Sequence, residues 1–199
     1  MIGIVDYGAG NIRSVKKAFD YLDARSVLVS TPDRLVEVDK LVLPGVGSFG
    51  HLMERLETGG LLKPVGDWIR ESRPFLGICL GLQFLFESSE ESRGVRGLEV
   101  FRGACRKFHE KKVPQIGWND IRVLKESVFL EGIRTGDYFY FVHSFYVSPE
   151  EKEILAADSH YGVDFAAVVE RGRVYAVQFH PEKSGPKGLR LLENWLKRC

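Results

Sequence analysis

Short apolar runs alternate with amphipathic stretches through the first half of the chain. The run IGIV (2–5) is followed by Ile12, Val15, Phe19 and Leu22 at helical spacing, with Asn11 placed as an N-cap. Next come SVLV (26–29), a short segment at 33–38, and KLVL (40–43). FGHLMERLE and LLKPVGDWIRE read as helices, and PFLGI (74–78) as another buried strand. Short strands that are apolar on both faces and separated by helices belong to a parallel sheet covered on both sides. The pattern predicts the doubly wound α/β class, a mostly parallel central sheet flanked by helices.

The second half changes character. LEVF, WNDIRVL, YFYFVHSFYV and FAAVVERGRVYAVQF are rich in β-branched and aromatic residues, which predicts an additional antiparallel β portion. ERGR (170–173) supplies a glycine-containing hairpin turn between two of these strands. Leu189, Leu192 and Leu196 mark one face of a closing helix. With no internal repeat, low-complexity stretch or linker, residues 1–199 are expected to form a single domain.

Composition narrows the partners. Lys plus Arg number 28 and Asp plus Glu 27, a net charge of +1 with no long block of one sign, which argues against nucleic acid or an anionic membrane surface. The opening MIGIVDYGAGN lacks a basic n-region and reads as a first strand rather than a signal peptide. No apolar stretch approaches the roughly 20 residues of a membrane span. Cys79, Cys105 and Cys199 are an odd number at spacings that suit neither a disulfide framework nor a zinc site, so a reducing cytoplasm is expected and no metal.

Ligands of open α/β sheets bind beyond the carboxyl ends of the strands. DYGAGN follows the first strand, PGVGSFG the third, CLG the fourth, and HPEKS (180–184) the strand VYAVQF. Cys79 within GICLGLQF has two readings: a small buried hydrophobe, or a nucleophile presented at a strand-to-helix elbow that Gly77 and Gly81 permit. If LGLQFLFE is helical, the thiol meets the positive end of a helix dipole. His51 and His109 read as solvated, His160 as part of a polar turn, DSHYG, and His143 as structural or functional alike. His180 leaves an apolar strand directly before Pro181, and Glu182 can hold its tautomer; the same string also fits a turn with incidental charges. Leu80 N–H and the glycines Gly45 and Gly47 of PGVG are candidate oxyanion elements.

In this order, PGVGSFG, GICLGLQFLFE, YFVHSF and QFHPEKS resemble the class I, triad-type glutamine amidotransferases. DYGAGNIRSV and PQIGWN (114–119) narrow the resemblance to the glutaminase subunits of imidazole glycerol phosphate synthases. The resemblance implies a flavodoxin-like class I glutaminase fold, with Cys79 as nucleophile, His180 as acid/base and Glu182 as its orienter. It places Gly45, Gln83, His143, Ser144 and Phe145 against glutamine. It assigns the oxyanion hole to Val46, Gly47 and Leu80, with the peptide at Val46 a candidate for reorientation. Asn11 and Trp118 are implied at the interface with a (β/α)-barrel synthase subunit, the heterodimer partner that receives ammonia through an internal passage. The implied reaction needs no cofactor: glutamine is hydrolysed through a cysteine thioester, and the partner forms imidazole glycerol phosphate and aminoimidazole carboxamide ribotide in histidine biosynthesis. The alternatives are a glutaminase serving another synthase and a non-catalytic flavodoxin-like module. The glycine loops lack both the G-x-G-x-x-G spacing and the G-K-[ST] ending of nucleotide sites.

Overall fold

The structure, a computed structural model, describes residues 1–8 and 11–199, so Ala9 and Gly10 of the DYGAGN motif lie outside the described residues. In chain order the first half runs β1 (Ile2–Val5), α1 (Ile12–Tyr21), β2 (Ser26–Val29), β3 (Lys40–Gly45), α2 (Phe49–Thr58), α3 (Leu62–Arg70), β4 (Phe75–Cys79) and α4 (Leu80–Gln83). The second half contributes β5 (Ser88–Ser89), β6 (Gly103–Lys107), β7 (Gln115–Asp120), β8 (Arg122–Val123), β9 (Tyr138–His143) and β10 (Phe145–Pro149). It ends with β11 (Leu155–Tyr161), β12 (Val163–Arg171), β13 (Val174–Val177) and α5 (Gly185–Arg198).

An eight-stranded sheet in the order β2-β1-β3-β4-β13-β12-β11-β8 forms the centre. The strands from β2 to β13 run parallel, and β12, β11 and β8 continue the sheet antiparallel. Both faces are covered at the centre, which is why β1, β4 and β13 carry no charged residue and β3 only Lys40 at its start. Leu41 and Leu43 point to one side, where α2 and α3 bring Phe49, Leu52, Leu56, Val65 and Trp68. Val42 points to the other, with Val15 and Phe19 of α1 and Leu191, Leu192 and Trp195 of α5. The α/β class, the mostly parallel sheet, its antiparallel extension and the β12–β13 hairpin all agree with the sequence pattern. Among the described residues, no helix is long and apolar enough to cross a membrane.

Four local expectations are corrected. LEVF is not a strand: Leu98, Val100 and Phe101 donate their N–H groups to the carbonyls of Phe84 and Leu85, so the run caps the turn after α4 instead of joining a sheet. The run YFYFVHSFYV is two strands broken at Ser144; β9 pairs with β7 in a two-stranded ribbon, and β10 pairs with β6 in a three-stranded sheet. His160 sits in β11 rather than in a turn, with its Nδ1 2.7 Å from Asp164 across the hairpin. The helix after Cys79 is a single turn: Leu85 and Phe86 donate to carbonyls three residues back, and the carbonyls of Phe84 and Leu85 are taken by Leu98, Val100 and Phe101 instead of a next helical turn.

The fold sets the carboxyl ends of β1, β3, β4 and β13 side by side, so the motifs that follow them converge on one rim. Helix α5 backs that rim. A Cβ on Gly188 would lie 1.9 Å from the carbonyl oxygen of Pro181, in the turn that carries His180 and Glu182. Alanine in place of a helix-interior glycine usually stabilises by up to about 1 kcal/mol. Gly188→Ala is expected to do the opposite, destabilising by about 2–3 kcal/mol through overpacking; urea unfolding gives the sign directly.

Candidate active site

The elbow at Cys79 is built from three glycines that let backbones touch. A Cβ on Gly81 would lie 2.0 Å from the Leu43 carbonyl oxygen, one on Gly77 would lie 2.4 Å from the Gly81 carbonyl oxygen, and one on Gly45 would lie 2.5 Å from Cβ of Leu80. With α4 pressed that closely over β3 and β4, the chain turns from strand to helix within one residue. Cys79 takes the turn at φ 56°, ψ −103°. A non-glycine residue held there stores strain on the order of 1–3 kcal/mol, and the strain lifts the thiol out of the strand toward the rim. Leu80 is the first residue of α4, so its N–H has no intrahelical acceptor.

His180 arrives from the neighbouring strand. Its backbone N–H donates to Tyr140 O at 2.9 Å, and Ser184 Oγ donates to the His180 carbonyl at 2.6 Å while accepting from Tyr140 N at 3.0 Å. Strand β9 therefore fixes the turn from outside. The imidazole Nδ1 lies 2.8 Å from Glu182 Oε1, and both side chains are buried. Asn11 Nδ2 donates to the same carboxylate oxygen at 2.5 Å. The expected N-cap role of Asn11 is corrected here: it stands at the N-terminus of α1 with φ 82°, but its side chain makes no capping bond because it is turned to Glu182.

Burial opposes a proton on His180, but the negative charge of Cys79 and the Glu182 carboxylate outweigh it and push the imidazole pKa up to about 10. The imidazolium form of His180 thus persists across neutral pH. Because the raised pKa exceeds the ordinary 6.5, this pair's contribution to stability is complete below about pH 6.5 and is lost as pH rises toward 10. His143 behaves oppositely. Burial drives its pKa down to about 4, so the ring is neutral; Nδ1 donates to Phe145 O at 2.8 Å, and Nε2 is buried with no protein partner among the described residues.

A cavity of about 240 Å³ opens over the sulfur, small enough for an amino-acid-sized ligand. All the residues singled out for glutamine and for the oxyanion line it: Gly45, Val46, Gly47, Leu80, Gln83, His143, Ser144 and Phe145. Asn11 and Trp118 do not line it. Trp118 lies half exposed on the β7–β9 ribbon, edge-on to Tyr140 and on the same face as exposed Ile116. A broader hollow of about 750 Å³ between Val123 and Ile133 contains neither a thiol nor an imidazole.

Three contributors escaped the sequence reading. Glu91 lines the cavity while its Oε2 accepts the N–H of Phe49 at 2.7 Å. Tyr7 places its hydroxyl 3.2 Å from Val46 N, so in this conformation the Val46 N–H is already engaged. Gln178 donates to Cys79 Sγ at 3.6 Å. Glu91 was hidden in the charged stretch ESSEESRG, and Tyr7 passed as an unassigned member of the DYGAGN motif; only Gln178, a lone amide in an apolar strand, carried a signal.

The model for class-I glutamine amidotransferases matches residues 3–199. The chain belongs to this family. It is 50% identical over 199 residues to the imidazole glycerol phosphate synthase subunit HisH of Thermococcus kodakarensis, covering 98% of each chain. It is 44% identical over 198 residues to the subunit of that name from Methanocaldococcus jannaschii, covering 99% of each. The crystal structure of a glutamine amidotransferase superposes with a TM-score of 0.79 at 20% identity, covering 98% of this chain and 97% of that one. That likeness bears on the fold alone, and the fold agrees.

The charge on Cys79 is the first of the influences that raise the His180 pKa, so removing it has a visible effect. In Cys79→Ala the His180 ring is expected to titrate well below its wild-type midpoint, read by NMR of the imidazole nitrogens. An unchanged midpoint would contradict the thiolate–imidazolium pairing.

Proposed function

We propose that this chain is the glutaminase subunit of an imidazole glycerol phosphate synthase, working in the cytoplasm on glutamine and delivering ammonia to a (β/α)-barrel synthase subunit. The observation that carries the proposal is that Cys79 and His180 line one amino-acid-sized cavity, with Glu182 behind the imidazole at 2.8 Å from its Nδ1. Near full-length likeness to HisH subunits supports the choice of synthase. The buried, unbridged cysteines suit a reducing compartment.

The chemistry follows from the geometry. Glutamine seats its side-chain amide over Cys79, with its α-ammonium toward the Glu91 carboxylate and a polar group on the unpartnered Nε2 of His143. The thiolate attacks the amide carbon, and the oxyanion that forms is met by Leu80 N–H. His180 holds the proton that the departing nitrogen needs, and its pKa near 10 keeps that proton in place at neutral pH. Ammonia leaves, water gives its proton to His180 and opens the thioester, and glutamate departs.

The second oxyanion donor is not ready. Val46 N–H is held by Tyr7, so the PGVG peptide must reorient before it stabilises the intermediate. Docking of the synthase subunit supplies that change in this proposal, which keeps glutamine from being spent when no acceptor for ammonia is present. The half-exposed apolar face of Ile116 and Trp118 is the docking surface. In register with Ile116, Val142 lines the cavity, so this face continues to the site itself.

Glutamate release from glutamine tests the assignment, with the chain alone and with a purified synthase subunit and its nucleotide ligand. Release is expected to be low alone, to rise by orders of magnitude in the complex, and to vanish in Cys79→Ala. Equal activity with and without the partner would refute the conditional oxyanion hole. Tyr7→Phe removes the hydroxyl that restrains Val46, a bond worth about 0.5–1.5 kcal/mol. Partner-free release is therefore expected to increase several-fold in that variant, measured in the same assay.

A further inference from the structure

We infer that Gln178 is a catalytic hydrogen-bond donor to the Cys79 sulfur, oriented by Gln83. The inference rests on the reading of Cys79 as nucleophile and extends it to a residue two positions before His180 that the triad does not include.

Side-chain amides are directional, and here the direction is forced. The Phe145 carbonyl can only accept, so Gln83 must present Nε2 to it, at 3.0 Å. His143 Nδ1–H supplies the second donor to the same oxygen, at 2.8 Å. The same Gln83 nitrogen lies 3.3 Å from Gln178, which must therefore turn Oε1 toward it. That leaves the Gln178 Nε2 facing the other way, where Cys79 Sγ lies at 3.6 Å, within reach of the larger sulfur atom. Gln178 is fully buried, so no water competes for either end of the amide.

A buried N–H aimed at sulfur favours the charged thiolate over the neutral thiol. The positive charge of His180 acts in the same direction, although its Nε2 makes no hydrogen bond to the sulfur in this conformation. Gln178 adds a neutral donor on another side of the sulfur, so the thiolate is solvated by the protein without a second cation that would weaken the imidazolium. The pull is also directional. It holds Sγ in one rotamer while the Val142 carbonyl, 3.9 Å away, faces it from β9. Gln83 acts through Gln178 and is a positioning residue in this respect.

The experiment is the pH profile of Cys79 alkylation by iodoacetamide, a small neutral probe that needs neither glutamine nor partner, with the adduct located by peptide mass spectrometry. The charged or titratable groups facing the sulfur are His180 with Glu182 behind it, His143 on β9, Tyr7 after β1 and Glu91 in the cavity wall. The variants leave all of them in place. Gln178→Met keeps the length and removes the donor; a bond to a charged group is strong enough that the profile midpoint is expected to move up by about one pH unit. Gln83→Met, which keeps the donor but frees its orientation, is expected to move it in the same direction by less, and it also serves if Gln178→Met does not fold. Unmoved midpoints in the folded variants overturn the role of Gln178 while the nucleophile reading stands. A wild-type Cys79 that alkylates no more readily than a free thiol overturns both.

Discussion

Where α4 crosses β3, two stretches of backbone lie in direct contact, Gly81 against the carbonyl of Leu43, and no side chain separates them. That contact decides what the rest of the rim can do. It forces β4 to end in a turn of a single residue, and that residue is Cys79, with a positive φ. A looser crossing would relax the turn, let the thiol settle into the strand, and leave His180 with nothing to face. The strain is sustained because the surrounding core is rigid: Leu41, Leu43, Phe75 and Leu80 belong to one buried cluster, so the elbow cannot straighten without opening it.

Around that elbow the protein handles charge with few charged groups. A buried carboxylate and a buried imidazolium are costly unless each is fully partnered. Glu182 receives a proton-bearing nitrogen from His180 and an amide from Asn11, both on Oε1, while its Oε2 has no partner among the described residues, so the partnering is concentrated on one oxygen. Neutral amides do the supporting work on both sides of the relay, and neither offers a competing cation. The cost appears elsewhere: Asn11 gives up a helix cap, an interaction commonly worth about 1 kcal/mol. Local stability is traded for a fixed carboxylate.

Much of this was legible in the sequence, and the boundary between what was and was not is physical. Parallel strands buried on two faces are apolar along nearly their whole length, so β1, β3 and β4 stand out; the helices between them repeat at their own period. The elbow shows because only glycines permit it, at Gly77 and Gly81. Strand pairing in the second half is less visible, since a continuous aromatic run such as 138–147 has the same composition whether it serves one sheet or two. Short β6 was missed because GACRK has no alternation to detect, its partners β5 and β10 being distant in sequence. The contributions of Tyr7 and Glu91 depend on which atoms meet across the rim, which no local pattern encodes, and the lone amide of Gln178 in an apolar run shows only that it needs a partner, not which one.

The break at Ser144 makes the wall of the cavity a joint. On one side β9 is bound to the ribbon whose outer face carries Trp118; on the other β10 is bound to the small sheet that contains Cys105. Only Ser144 lies between them: Val142 and His143 are paired within the ribbon and Phe145 within the small sheet, so these wall residues are anchored on opposite sides of the break. Their position is a compromise between two independently hydrogen-bonded bodies, so a change that tilts either body moves the wall. The outward face of the ribbon and the inward face of the pocket are therefore inherited together: a chain that drifts toward a new companion through this ribbon must re-tune its fit to the small molecule as it goes.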